Sequence, residues 1–241
     1  MIWALAFAIL LKIVAGDSPF LVPKLDNYVK KHVVDDTRKK EALVILKDAK
    51  KNRKVTEKQN SKHFKEIHKL YKSRDTETAD FETVLNEILK TQEEAQKYNI
   101  KVNQKAQELI TEDEWAAIYI DIKKSLTKTD KKRTKNGLKM EKHFLKTEAK
   151  ITKNIADLEK REQAIAAVDK LKALYVKNHK IIQDEILNEQ SIAYQYKASD
   201  DELIALQDKF VDLIKDVYLQ SFETHQELVN LTTPEEWKKI Q

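Results

Sequence analysis

Apolar residues recur every three or four positions through much of the chain, and this spacing predicts long amphipathic helices. The clearest run lies between residues 81 and 109, where steps of three and four alternate with two polar interruptions. Such an alternation is a heptad seam, which indicates left-handed packing of one helix against another. The seam consists of Phe81, Val84, Ile88, Thr91, Ala95, Tyr98, Val102, Lys105 and Leu109.

Other stretches carry a weaker pattern. An apolar face runs to about Leu46 and resumes at Phe64, but residues 47–63 have almost no apolar side chains among many lysines. A stretch without an apolar face is not held by a core, so we expect 47–63 to project from the bundle or to fray. A further long helix is predicted from about Ile155 to Tyr196, followed by one that opens at Asp200.

Residues that break helices are scarce. The chain of 241 residues has two glycines and three prolines, and from Lys24 to Thr233 it has no proline and only Gly137. Sheet proteins need turn residues at short intervals, so this composition excludes them and predicts an all-α fold of long helices. The pattern as a whole favours an elongated antiparallel bundle.

Two short elements share one order of residues: a threonine, acidic residues in the next turn, a glutamate three positions after the threonine, and a tryptophan four positions after it. A threonine with a glutamate at that spacing predicts a capping box, and the acidic turn suits the positive end of a helix dipole. We expect the tryptophans to pack at the helix starts. The residues are Thr111, Glu114 and Trp115, and then Thr233, Pro234, Glu236 and Trp237.

The paired caps favour an internal duplication, although similar helix ends can arise by chance in a chain rich in lysine and glutamate. Tyr71-Lys-Ser-Arg-Asp75 lies 40 residues before Thr111, and Tyr196-Lys-Ala-Ser-Asp200 lies 37 residues before Thr233. Each half then consists of a long helix, a turn, a second long helix and a capped short helix. The predicted divisions are a hairpin at 23–122, a basic helical connector at 123–154 and a hairpin at 155–241.

The first 22 residues are predicted to direct the protein to the cell envelope. Residues 2–15 are apolar apart from Lys12, which is too short a run to span a bilayer and favours a signal peptide with a cleavage site near Ala15. In a second interpretation the segment extends to Val22 as a single-pass anchor, and the lysines after it place the helical body in the cytoplasm. A buried core helix is a third.

The sharpest charge bias lies between residues 123 and 153, with twelve Lys or Arg and three acidic residues. One interpretation is a solvated helix face; the other is a contact for a polyanion such as an anionic membrane surface. Nucleic acid is disfavoured because Phe144 is the only aromatic residue in the run. The contact is expected to centre on Lys131, Lys132, Arg133 and Lys135.

Signatures of enzymes are missing from the sequence. It contains no glycine-rich phosphate loop, no His-Glu-x-x-His motif and no cysteine, so no catalytic, cofactor-binding or metal-binding residue is predicted. The densest group of metal-capable residues is His63, Glu66 and His68. Five positions apart on a helix, the two histidines point away from each other, which favours a surface pair over a site.

Two local likenesses bear on function. The segments that begin at Leu109 and Leu231 resemble the paired Leu-Thr-x-x-Gln motifs of small periplasmic stress chaperones, with Glu in place of Gln and an extra residue after Leu. The segment 20–25, Phe-Leu-Val-Pro-Lys-Leu, is similar to the start of the peripheral stalk subunit of rotary ATP synthases. The first likeness implies a helical chaperone and the second a membrane stalk. Neither assigns the chain to a family.

The sequence therefore predicts a non-enzymatic structural or interaction protein of the cell envelope, without a cofactor, that presents long helix faces to a protein partner. A periplasmic chaperone or stress adaptor and a membrane-anchored stalk subunit are the alternatives. Residues 2–22 would associate with the membrane if they are not cleaved.

Overall fold

The computed structural model describes residues 20, 22, 24–188 and 190–241, and it traces 127–136 as helix backbone. The predicted all-α class is confirmed, because the described residues form seven α-helices and a short 3-10 helix, without a strand. The α-helices are α1 (Leu25–His32), α2 (Asp36–Lys72), α3 (Thr78–Glu108), α4 (Glu112–Asn154), α5 (Leu158–Leu187), α6 (Asp200–Leu231) and α7 (Pro234–Ile240), and the 3-10 helix is Ile192–Tyr194.

The five long helices pack in the order α2, α3, α6, α5 and α4, while α1 lies against α2 and α4, and α7 against α4. Neighbouring helices run antiparallel. At one end of the bundle Gln104 of α3 donates a hydrogen bond to Asp200 of α6, and at the other end Gln226 of α6 donates to Thr78 of α3 over 3.2 Å. The described chain is thus a helical bundle.

The core is continuous through the bundle. Toward the end of the bundle where α3 begins, the rings of Phe81 and Phe222 stack with centroids 4.2 Å apart, which joins α3 to α6. Phe20 and Val22 are also buried, and Phe20 packs against Phe210 of α6 at 6.2 Å between ring centroids. The end of the predicted segment 1–22 is therefore part of the core, while residues 1–19 lie outside the described residues.

None of the described helices is both long enough and apolar enough to cross a bilayer.

The predicted hairpin at 23–122 begins with two helices, where the sequence predicted one long helix. The backbone leaves the helix after α1, and Asp35 starts α2 by accepting a hydrogen bond from the Arg38 amide over 2.7 Å. Once started, α2 continues through residues 47–63 and does not project. It packs along α3 there, with Ala49 and Asn60 buried.

The helix that begins after Thr111 is not short. It continues for 43 residues as α4, because no proline interrupts it, and the predicted boundary at residue 122 falls within it. It ends at Ile155, where the sequence analysis placed the start of the next helix. Asp157 then caps α5 by accepting a hydrogen bond from the Lys160 amide over 3.0 Å.

The helix caps and the buried positions of the first half recur in the second half 122 residues later. Asp35 and Asp157 both cap a long helix, and they are 122 positions apart, as are Thr111 and Thr233. Of the ten buried positions in α3, nine have a buried counterpart 122 residues later in α6. The two hairpins α2–α3 and α5–α6 therefore share one register.

Candidate functional site

Capping boxes are present at both predicted positions. Oγ1 of Thr111 accepts a hydrogen bond from the Glu114 amide over 3.3 Å, and the Glu114 carboxylate accepts one from the Thr111 amide over 2.9 Å. At the start of α7 the corresponding distances between Thr233 and Glu236 are 3.2 Å and 2.9 Å. Pro234 occupies the first helical position there, where an amide donor is not needed.

Glu114 also ties three elements together. Arg38 of α2 donates to both of its carboxylate oxygens, over 2.7 Å and 3.0 Å, and the Val34 amide donates over 2.9 Å. The hydrogen bonds from Arg38 and from the Thr111 and Val34 amides lower the pKa of Glu114 from 4.5 to about 2. A third hydrogen bond from the Arg38 side chain reaches the Leu109 carbonyl over 2.9 Å, so the start of α2 is fixed to the end of α3.

Glu236 has the same role with fewer partners. Besides the Thr233 amide it accepts a longer hydrogen bond, of 3.4 Å, from the amide of Ala156. Ala156 lies 122 residues after Val34, so the two backbone donors are equivalent. These amides lower the pKa of Glu236, which lacks the guanidinium partner that Glu114 has.

The two cap tryptophans make reciprocal contacts between the halves. Nε1 of Trp115 donates to the Tyr194 carbonyl over 3.1 Å, and Nε1 of Trp237 donates to the Lys72 carbonyl over 3.4 Å. Lys72 and Tyr194 are themselves 122 residues apart. Trp115 thus bonds to the 3-10 helix that follows α5, and Trp237 bonds to the last residue of α2. Each tryptophan joins the end of its own half to the other half, as in an isologous dimer.

A second reciprocal pair reinforces these ends. Arg74 donates to the Thr232 carbonyl over 2.8 Å, and the hydroxyl of Tyr196 donates to the Ile110 carbonyl over 2.7 Å. Both the donors and the acceptors are 122 positions apart. The structure therefore pairs Tyr196 with Arg74, whereas the turn comparison in the sequence paired it with Tyr71.

A cleft opens between the first turns of α2 and the last turn of α3. It has a volume of about 440 Å³, with an apolar floor between flanking charges. Val44 in this cleft is 61% exposed. The cleft is lined by Glu41, Val44, Ile45, Lys105, Glu108 and Leu109.

A second cleft lies between α5 and α6 at the equivalent place. Each residue of the first cleft has a counterpart 122 positions later in the lining of the second. Alanines at 166 and 167 replace Val44 and Ile45, which is consistent with the larger volume of about 500 Å³. This cleft is lined by Gln163, Ala166, Ala167, Lys170, Glu227, Asn230 and Leu231.

The basic run, residues 123–153, lies within α4. Where its side chains are described, two of its charges are paired: Lys124 lies 3.7 Å from Asp121, and Glu148 lies 3.2 Å from Lys172 of α5. The four predicted contact residues, Lys131, Lys132, Arg133 and Lys135, are in helix, and their side chains lie outside the described residues.

One group of side chains in the described part of the chain can hold a metal ion, and it consists of His63, Glu66 and Glu87. In the sequence His63 and Glu66 group with His68 instead. His68 does not join them, because its ring stacks on Phe64 with centroids 6.5 Å apart. The third member, Glu87, comes from α3, and local spacing could not identify it.

Comparison of the chain with family models, with curated proteins and with solved structures finds no match.

The structure brings together the predicted cap residues with partners that the sequence analysis missed. Arg38, Val34 and Ala156 stand far from the caps in sequence, and each contacts a cap glutamate. One signal could have located them: the spacing from Asp35 to Thr111 is 76 residues, and it is repeated from Asp157 to Thr233. An alignment on that spacing also brings the lining residues of the two clefts into register.

Proposed function

We propose that this protein is a non-enzymatic adaptor of the cell envelope, built from two duplicated helical hairpins, that binds protein segments in its two equivalent clefts. The observation that carries the proposal is the recurrence of one cleft in both halves. All six lining residues of the first cleft have counterparts in the lining of the second. The apolar floor and charged edges suit a segment that inserts one or two apolar side chains.

The two clefts lie toward opposite ends of the bundle. Gln104, next to the first cleft, lies beside Asp200, whereas Gln226, next to the second, lies beside Thr78. Most of the length of α3 therefore separates them, which corresponds to about 40 Å at the rise of an α-helix. A partner with two binding segments at that separation would gain affinity by occupying both.

Placement in the cell envelope rests on the apolar residues 2–15. Because Phe20 and Val22 pack in the core, a signal peptide or anchor would have to end before them. Mass spectrometry of the native N-terminus after cell fractionation tests this part. An intact N-terminus on a protein found in the soluble cytoplasmic fraction would contradict it.

Photo-crosslinking in the native cell tests the adaptor role. A photoreactive phenylalanine analogue is placed at Val44 or Ala166, and at Val55 as the control. Val55 is 56% exposed on the same helix as Val44 but outside the cleft. We expect the same partner to be captured from both clefts and severalfold less from the control.

The glutamate variants Val44→Glu and Ala166→Glu complete that experiment, because a buried partner side chain would meet an unpaired charge. The double variant should lose the partner while keeping its helical circular dichroism. Equal capture from Val55, or capture that the double variant does not reduce, would refute binding in the clefts.

A further inference from the structure

Three metal-capable side chains meet between α2 and α3, away from both clefts. His63 and Glu66 lie one turn apart on α2, and Glu87 reaches them from α3. Nδ1 of His63 lies 3.5 Å from Oε2 of Glu66 and also 3.5 Å from Oε2 of Glu87. All three ligand atoms lie within 4.8 Å of one another. A single ring nitrogen therefore faces two carboxylate oxygens at equal distance.

These separations fit ligands around one ion better than hydrogen bonds. A charge-assisted N–H···O bond brings nitrogen and oxygen to about 2.7–2.9 Å, and Nδ1 of His63 has no hydrogen-bond partner in the described part of the chain. Ligands at about 2.0–2.2 Å from a tetrahedral zinc ion lie about 3.3–3.6 Å apart. We propose that His63, Glu66 and Glu87 form a binding site for a divalent transition-metal ion of the zinc type.

Thr91 orients the imidazole for this role. Its Oγ1 lies 3.3 Å from Nε2 of His63, on the far side of the ring from the two carboxylates. Metal-bound histidines commonly hold their second nitrogen in a hydrogen bond, which fixes the ring and its tautomer. With Nε2 donating its proton to the Thr91 hydroxyl, Nδ1 presents its lone pair toward the carboxylates.

The charges and the solvent exposure of the three side chains also suit a divalent ion. Two carboxylates balance the charge of a divalent ion, and the neutral imidazole adds none. The His63 side chain is 12% exposed, whereas those of Glu66 and Glu87 are 35% and 57% exposed, so an ion and a solvent ligand can enter from the carboxylate side. Lys62 lies 3.7 Å from Oε1 of Glu66, which leaves Oε2 directed at His63.

The equivalent positions in the second half carry different side chains, which form an ion pair. The counterparts of His63 and Glu87 are Glu185 and Lys209, which form an ion pair at 3.5 Å. The counterpart of Thr91 is Leu213, which cannot orient a ligand. The second half therefore balances its carboxylate with lysine, and the first half carries two carboxylates around an imidazole. This difference provides an internal control for the proposed site.

Calorimetric titration of the purified full-length chain with ZnCl₂ tests the site, and the absorption bands of bound Co²⁺ report whether the geometry is tetrahedral. We expect one ion per chain. His63→Gln and Glu87→Gln should each weaken Zn²⁺ binding by at least about tenfold, and Thr91→Val by about tenfold through loss of ring orientation. Because Glu87 is largely exposed, its variant should keep the fold, which metal-free melting checks.

His68→Gln and Glu185→Gln are the matched controls, and both should bind Zn²⁺ as the parent protein does. The proposal is overturned if the parent shows no saturable binding or if His63→Gln titrates like the parent. A loss in His68→Gln equal to that in His63→Gln would also overturn it, since the binding would then belong to surface histidines in general.

Discussion

Trp115 and Trp237 make the same hydrogen bond at opposite ends of the bundle, each to a backbone carbonyl of the other half. Both rings are buried, at 3% and 4% exposure. Because each tryptophan follows its own capping box, the hydrogen bond joins a helix start to the end of a helix that belongs to the opposite hairpin. The two halves are thus joined by reciprocal hydrogen bonds at both ends of the bundle.

The first prediction concerns these hydrogen bonds. Trp115→Phe and Trp237→Phe keep an aromatic ring but remove the indole donor, and each should lower the free energy of unfolding by about 1 kcal/mol beyond the loss of ring volume. The effect should be larger at residue 115, where the bond is 3.1 Å, than at residue 237, where it is 3.4 Å. Chemical denaturation measures both, and the reverse order would contradict the geometry.

The second prediction is a difference in acid stability between the two cap glutamates. The pKa of Glu114 is about 2 in the folded protein, against 4.5 without its partners. The unfolded chain therefore binds more protons between these values, and stability falls as the pH is lowered from 4.5 toward 2. Glu114→Gln should lower the free energy of unfolding by about 1.5–3 kcal/mol at neutral pH. The stability of the variant should also fall less steeply than that of the parent as the pH is lowered from 4.5 toward 2. Denaturation at a series of pH values measures it.

Glu236→Gln is the matched control for that experiment, because Glu236 occupies the equivalent position without a guanidinium partner. Its effect at neutral pH should be smaller than that of Glu114→Gln. If the two variants behave alike, the Arg38 hydrogen bonds do not carry the stabilisation.

The third prediction concerns His225, which is buried among three aromatic rings near α7. Its ring contacts Tyr71, Phe222 and Trp237, with centroids between 5.1 and 5.8 Å apart. Burial, helped by the nearby Arg74 charge and opposed by a hydrogen bond with the Ser73 backbone, lowers its pKa from 6.5 to about 4.

Since the folded state disfavours the protonated ring, stability should fall as the pH drops from 6.5 toward 4, by up to about 3 kcal/mol. The counterpart of His225 in the first half is Asn103, so His225→Asn introduces the residue that the protein already uses there. The variant should lose the pH dependence in this window, whatever its absolute stability. A slope like that of the parent would show that His225 does not titrate as described.

The fourth prediction is that the bundle includes residue 20. Phe20→Ala should lower the free energy of unfolding by about 3–5 kcal/mol, because it empties a buried site against Phe210. Val34→Ala is a suitable control, since Val34 is 82% exposed. Equal and small effects of the two changes would mean that Phe20 does not belong to the core.

The fifth prediction concerns the basic run of α4. Replacing Lys131, Lys132, Arg133 and Lys135 with glutamine should weaken binding to anionic liposomes, because each cation near such a surface contributes about 1 kcal/mol. Binding of the parent chain should also fall with added salt. Co-sedimentation at low and high salt measures both effects. Insensitivity to the substitutions and to salt would identify the run as a solvated face.

Sequence patterns were sufficient for the fold class and for the helix caps. The scarcity of glycine and proline fixed the all-α class, and the Thr-x-x-Glu spacing located both capping boxes, since these features depend on neighbouring residues. The interruptions between helices at Val33–Asp35 and Ile155–Asp157 were not predicted. Neither contains glycine or proline, and an isolated aspartate cap is a weak local signal.

The contacts between distant elements could not be predicted in the same way. Arg38 and Glu87 are ordinary surface residues by local pattern, and each acquires its partner only when two helices pack side by side. The register of that packing depends on the whole core. Only the constant shift of 122 residues carried information about it, and the turn comparison at Tyr71 and Tyr196 obscured this shift by three residues.

The two hairpins are connected by one unbroken helix, α4. This helix begins at the capping box that follows the first hairpin and ends just before α5, the first helix of the second hairpin, over 43 residues or about 64 Å. A flexible linker would let two binding sites adapt their separation to a partner, whereas an unbroken helix resists both stretching and bending. Within the bundle the distance between the two clefts follows from the length of α3, and an insertion of one turn in α3 and in its partner helices would change it by about 5 Å.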